Sequence, residues 1–144
     1  MSKILVTGGC GYIGSHTIID LLEHDFSVIS IDNLHNADES VLAGIAAITG
    51  QRVPNYAVDL CDINATRHVF ATHPDIAGVI HFAALKSVGE SVAQPLLYFR
   101  NNLDGLLNLL DCMAEFAVPH LIFSSSCSVY GNAAALPVTE NTPW

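Results

Sequence analysis

Short apolar runs separated by helix-sized segments organise this sequence. Lys3–Val6, Ser27–Ile31, Asn55–Val58, Gly78–Phe82 and His120–Ser124 are nearly continuous in hydrophobicity rather than alternating. Runs of that kind belong to strands buried on both faces. The segments between them read as helices over about Tyr12–His24, Glu39–Thr49, Ile63–Ala71 and Pro95–Phe116. Strand–helix alternation predicts an α/β fold: a doubly wound parallel sheet of about five strands, with right-handed crossovers. The tail Leu136–Trp144 contains two prolines and reads as loop.

The segment from Pro95 to Phe116 is the longest predicted helix, and proline suits its first position. Asn101, Asp104, Asn108, Asp111 and Glu115 fall on one narrow polar stripe. Leu103, Leu106, Leu107, Leu109, Leu110, Met113 and Phe116 fill much of the remainder. That arc is wider than contact with a sheet requires. It fits either a neighbouring helix in the same chain or a homodimer interface.

Composition narrows the class. With 144 residues, 51% of them hydrophobic, the chain has the size of one domain and can bury a substantial core. A formal charge of −9 with five Lys and Arg argues against nucleic acid and against an anionic membrane surface. No apolar run approaches the ~18 residues of a membrane span. The sequence enters a strand without a signal-peptide pattern, so a cytoplasmic location is expected. Cys10, Cys61, Cys112 and Cys127 form no C-x-x-C pair and read as reduced thiols, mostly small core residues. The seven histidines show no metal-binding spacing, and no metal is expected.

The chemistry concentrates where strands end. Between the first strand and first helix runs Thr7-Gly8-Gly9-Cys10-Gly11-Tyr12-Ile13-Gly14. A glycine-rich turn from a buried strand into a helix N-terminus cradles a pyrophosphate, because free N–H groups and the helix dipole point at it. In this motif Gly8 allows the tight turn, Gly11 the close approach of phosphate, and Gly14 close packing of helix on strand. Asp32 closes the second strand, eighteen residues after Gly14. An acid there hydrogen-bonds the adenosine ribose hydroxyls and repels a 2′-phosphate, and no Arg or Lys follows nearby to accept one. The cofactor is therefore expected to be NAD rather than NADP. An N-cap or Asx turn is the structural alternative for Asp32.

The other strand ends carry weaker signals. Asp59-Leu60 suits a carboxylate meeting the adenine amino group, or an ordinary helix N-cap. Phe82-Ala83-Ala84-Leu85-Lys86 offers small residues that leave room for a cofactor across the sheet edge. Lys86 could pair with a phosphate or ribose hydroxyl, or be a solvated lysine. His81 reads as a packed strand residue. Ser124-Ser125-Ser126 is either a polar turn or a hydroxyl run placed to hydrogen-bond a substrate oxygen.

Taken together, the glycine turn through His16, Asp32-Asn33-Leu34, His81–Ser91 and Phe123–Gly131 resemble the UDP-glucose 4-epimerases of the extended short-chain dehydrogenase/reductase family. The resemblance runs over essentially the whole chain, and His81–Ser91 discriminates best. It implies a Rossmann-type sheet, with residues 1–144 as an NAD-binding domain. Carried over by position, the NAD contacts fall on Tyr12, Ile13, Asp32, Asn33, Leu34, His35, Asn36, Ala37, Asp59, Leu60, Phe82, Ala83, Ala84, Leu85, Lys86 and Asn101. Ser126 matches the residue that touches the sugar 4-oxygen. Ala37 stands where serine is common and Ala84 where glycine is common.

The implied activity is interconversion of UDP-glucose and UDP-galactose in galactose metabolism, with a UDP-sugar as substrate. A tyrosinate takes the 4-hydroxyl proton while hydride passes from C4 to NAD, and the hydride returns to the other face of the 4-keto sugar. Ser126 would assist the proton transfer. The family places its tyrosine in a Y-x-x-x-K pair beyond the serine run. Tyr12, Tyr56, Tyr98 and Tyr130 have His16, Leu60, Asn102 and Ala134 at that offset. The expectation is an N-terminal cofactor-binding part without its substrate domain, inactive alone, with an exposed edge at the fifth strand and poor solubility. Other sugar-nucleotide epimerases or dehydratases, and a non-catalytic NAD-binding fragment, remain alternatives.

Overall fold

A computed structural model describes residues 2–133 and 136–143. Five parallel strands form one sheet in the order β3-β2-β1-β4-β5. They are β1 (Lys3–Thr7), β2 (Ser27–Ile31), β3 (Asn55–Tyr56), β4 (Ile76–His81) and β5 (His120–Phe123). The chain winds outward from β1 to β3, then returns to lay β4 against the free side of β1. That reversal makes the C-terminal ends of β1 and β4 a switch point, where open α/β sheets bind ligands.

Adjacent residues of β1 feed opposite faces. Val6 packs with Ile18 and Leu22 of α1 (Tyr12–Glu23) and with Ile45 of α2 (Ser40–Thr49). Leu5 packs on the other side with Val69 and Phe70 of α3 (Ile63–Thr72) and with Leu109 and Met113 of α6 (Gly105–Glu115). Helices thus cover both faces, as continuous apolar strands require.

Two predicted elements need correction, and one helix is additional. β3 has only two residues, because the Val58 N–H turns back onto the Tyr56 carbonyl at 2.8 Å. Asp59 therefore lies in the loop beyond the strand rather than at its end. The segment 95–116 is not one regular α-helix: α5 (Pro95–Phe99) passes through a π-helical turn (Arg100–Asp104) into α6. A short helix α4 (Val88–Ala93), not anticipated, precedes it.

The long segment's faces also differ from the simple stripe. Asn108 turns inward and donates to the Leu60 and Cys61 carbonyls at 2.9 and 3.1 Å. Leu109 and Met113 enter the core, whereas Leu103, Leu107 and Leu110 stay exposed. β5 pairs only with β4 among the described residues, and its Ile122 and Phe123 are exposed, which leaves the expected open edge. Cys10 and Cys112 are buried free thiols, while free Cys61 is exposed and not a core residue.

Residues 136–143 form turns and irregular segments. Trp144, Ala134 and the Cys127 side chain lie outside the described residues. Among the described residues no helix is long and apolar enough to cross a membrane. None of their His, Cys, Asp and Glu side chains gather in threes as a metal site would need.

Candidate functional site

The glycine turn is built by backbone approach on every side. Gly8 takes a left-handed φ of 70° and donates its N–H to the Ile31 carbonyl at 2.8 Å, which ties the turn to β2. A Cβ on Gly8 would stand 2.8 Å from the Ala83 nitrogen, so the end of β4 closes over it. Gly11 N–H returns to the Gly8 carbonyl at 3.1 Å. A Cβ on Gly14 would overlap that same carbonyl, so the first turn of α1 sits directly on the loop. Gly9, to which the sequence reading gave no role, is equally confined: a Cβ there would overlap Ser30 Oγ and press on Ile18.

Gly11 is the N-cap of α1 and supplies no side-chain cap, and the first turn holds no acid. The first N–H groups of a helix have no intrahelical partner. They remain available, together with the dipole's positive end, for an anion at the sheet edge. α3 shows the contrast, since Asp62 caps it through the Asn64 and Ala65 N–H groups. Tyr12 and Ile13 are strongly exposed beside the cradle.

Asp32 follows β2 directly. Its Oδ2 accepts the Cys10 N–H at 2.9 Å and its Oδ1 accepts the Leu34 N–H at 2.9 Å. The Asx turn therefore exists, and the same carboxylate also bonds the glycine loop; the two readings do not compete. Asn55 holds Asp32 from behind, donating Nδ2 to its carbonyl at 3.2 Å, a role not foreseen from sequence. Burial, with Asp32 and then Glu39 nearby, pushes the Cys10 thiol up to about 11, so it stays a neutral filler. Asn33, His35 and Asn36 are exposed in the loop before α2, and Ala37 is half-buried.

The end of β4 is locked to β1. Phe82 N–H donates to the Thr7 carbonyl at 3.1 Å. Thr7 Oγ1 and His81 Nδ1 are hydrogen-bonded at 2.7 Å in a buried site, and His81 stacks on Phe123 of β5. His81 is thus the packed strand residue expected, and burial holds its pKa below the ordinary imidazole range. Ala84 and Lys86 are exposed beyond it, with Ala83 and Leu85 half-buried.

Leu60 is buried and meets α6 where Gly105 leaves space for it. Asp59 accepts the Cys61 N–H at 2.9 Å but does not cap α3, so the N-cap alternative is excluded for it. Asn101 lies in the π-helical turn and donates Nδ2 to Asn102 Oδ1 at 2.9 Å. Ser126 is exposed beyond β5, where its Oγ accepts the Ser128 N–H at 3.1 Å and caps a short 3-10 turn.

A glycine turn opening an uncapped helix at the switch point of a parallel sheet, with an acid just after the adjacent strand, gives this chain the architecture of a Rossmann-type domain. The chain belongs to the NAD dependent epimerase/dehydratase family, whose model matches residues 4–144. It is 48% identical over 143 residues to a UDP-glucose 4-epimerase of Neisseria meningitidis serogroup B, covering 99% of this chain and 42% of that protein. It is 48% identical over 149 residues to the mouse UDP-glucose 4-epimerase, covering 99% and 43%. The crystal structure of the Bifidobacterium longum UDP-glucose 4-epimerase in complex with NAD+ and UDP superposes with a TM-score of 0.92 at 48% identity, over 98% of this chain and 42% of that one. The chain thus spans about 42% of the length of such relatives.

Proposed function

We propose that residues 1–144 form the NAD-binding domain of a UDP-hexose 4-epimerase. The observation that carries this reading is the uncapped N-terminus of α1 behind Gly8, Gly11 and Gly14, with Asp32 bonded to the same loop. In this reading the first-turn amides, with Tyr12 and Ile13 beside them, receive the pyrophosphate. Asp32 receives the adenosine ribose, with Asn33, Leu34, His35, Asn36 and Ala37 around it. Asp59 and Leu60 flank the adenine, while Phe82–Lys86 and Asn101 flank the nicotinamide half. Bound NAD supplies a reversible hydride acceptor.

Ser126 is assigned the sugar 4-oxygen, to which its hydroxyl can donate while its Oγ keeps the Ser128 N–H. Tyr98 and the other described tyrosines have no lysine four residues on, so the base comes from outside these residues. The polypeptide of 144 residues is accordingly expected to show no epimerase turnover by itself. The UDP-sugar is the partner of the complete active site, in the cytoplasm.

The same proposal includes a homodimer. Leu96, Phe99, Leu103, Leu107 and Leu110 are 73, 63, 50, 58 and 39% exposed, at helical spacing along α5, the π-turn and α6. A continuous apolar stripe of this kind suits helix-to-helix pairing between two copies.

A chimera tests the function. This chain replaces the corresponding segment of the Neisseria meningitidis epimerase, and conversion of UDP-galactose to UDP-glucose is measured. Turnover that falls on Ser126→Ala supports the reading. A folded chimera that carries NAD but gives no turnover contradicts it.

A further inference from the structure

The segment after β4 is gripped at two points by one helix face. Asn102 in the π-helical turn accepts the Leu85 N–H on its Oδ1 at 2.8 Å and donates Nδ2 to the Leu85 carbonyl at 2.9 Å. One turn earlier, the Tyr98 hydroxyl accepts the Ser87 N–H at 3.0 Å and donates to Glu90 Oε2 at 2.7 Å. Residues four apart share a helix face, so both grips come from the same side. Lys86 lies between the two gripped residues.

Both side chains satisfy the donors and acceptors of a loop that has no ladder partner of its own. An asparagine amide spanning the N–H and C=O of one residue imitates a neighbouring strand, and fixes that residue's orientation as well as its position. The wider turn also brings Asn101 alongside, where it donates to Asn102 Oδ1 and completes the acceptor's environment. π-helical turns inside α-helices recur at functional sites. Here the turn falls at the residues that hold the loop.

We propose that Tyr98 and Asn102 are positioning residues: they set segment 85–87 so that Ala83, Leu85 and Lys86 present a fixed surface to the dinucleotide. This rests on the NAD-binding reading given above. In this role Tyr98 and Asn102 act through the segment they hold.

Two readouts on the full 144-residue chain test this. Amide hydrogen exchange reads the grips directly. The Leu85 amide loses protection in Asn102→Ala and the Ser87 amide in Tyr98→Phe, while β1 and β4 amides keep theirs. Unchanged protection at both amides overturns the proposal. Calorimetric titration with NAD reads the consequence, with Asn102→Ala weakening binding about tenfold while the melting temperature of the free chain holds. Asn102→Asp keeps the acceptor but loses the donor, and recovers part of that loss. Affinity unchanged in Asn102→Ala overturns the positioning role. A wild-type chain that binds no NAD overturns the NAD-binding reading instead, and with it the cofactor clause, while exchange still decides whether the grips exist.

Discussion

Cys10 and Asp32 join the two halves of the cradle: the Cys10 N–H donates to Asp32 Oδ2 at 2.9 Å, across the gap between the first two strand ends. This bond ties the glycine turn to the acid. Because each carboxylate oxygen has more than one lone-pair direction, Asp32 keeps capacity for further donors while both backbone bonds persist.

Asp32→Ala should weaken NAD binding by about tenfold or more, from loss of the ribose acceptor and of the loop contact. It should also narrow the preference for NAD over NADP, since the negative charge that opposes the 2′-phosphate is gone. Titration of the wild-type chain and the variant with both nucleotides checks this. An unchanged preference would place discrimination elsewhere.

Gly14→Ala puts a methyl group onto the Gly8 carbonyl. Backbone atoms on both sides must shift, which costs about 1–3 kcal/mol as overpacking usually does. Urea unfolding should show that loss, and NAD affinity should fall with it. Gly44→Ala is the control, because nothing stands within 4 Å of the added methyl.

Acid should destabilise the fold through His81. Burial depresses its pKa in the folded chain, so below its ordinary value of about 6.5 the unfolded chain binds a proton that the folded chain refuses. The stability due to neutral His81 is complete above about pH 6.5 and is lost as pH falls through the folded value. His73 is depressed in the same direction, by burial and then by Lys3. Melting temperature followed from pH 7.5 to 5 (about the range in which histidine titrates) should decline, and His81→Asn should flatten part of the slope. A slope unaltered by that substitution would remove His81 from the account.

Leu107→Glu places a charge in the middle of the exposed apolar stripe without touching the core. Sedimentation velocity should show the wild-type chain as a dimer and the variant as a monomer. A wild-type monomer would contradict the homodimer.

Much of the fold is legible in the sequence because the central strands β1, β2 and β4 are largely buried between helices. Leu5 and Val6, side by side, serve opposite cores, and that double demand writes the continuous apolar run. β3 is shorter than its apolar run because hydrophobicity does not encode the tight turn at Tyr56–Val58. α4 leaves no periodic trace, since none of its six residues is buried. The π-turn escapes any count at 3.6 residues per turn.

The glycine cradle and Asp32 are equally visible, because local backbone geometry dictates those residue types. Gly9, Asn55 and Asn102 are not. Each is set by a partner distant in sequence — Ser30, Asp32 and Leu85 respectively — and no local pattern announces such contacts.

Binding of NAD at the α1 N-terminus is tested most directly by isothermal titration of the 144-residue chain with NAD and, separately, NADP. The account predicts saturable binding of one NAD per chain, with NADP weaker by about tenfold or more. No saturable binding of NAD, or NADP bound as tightly, would contradict it.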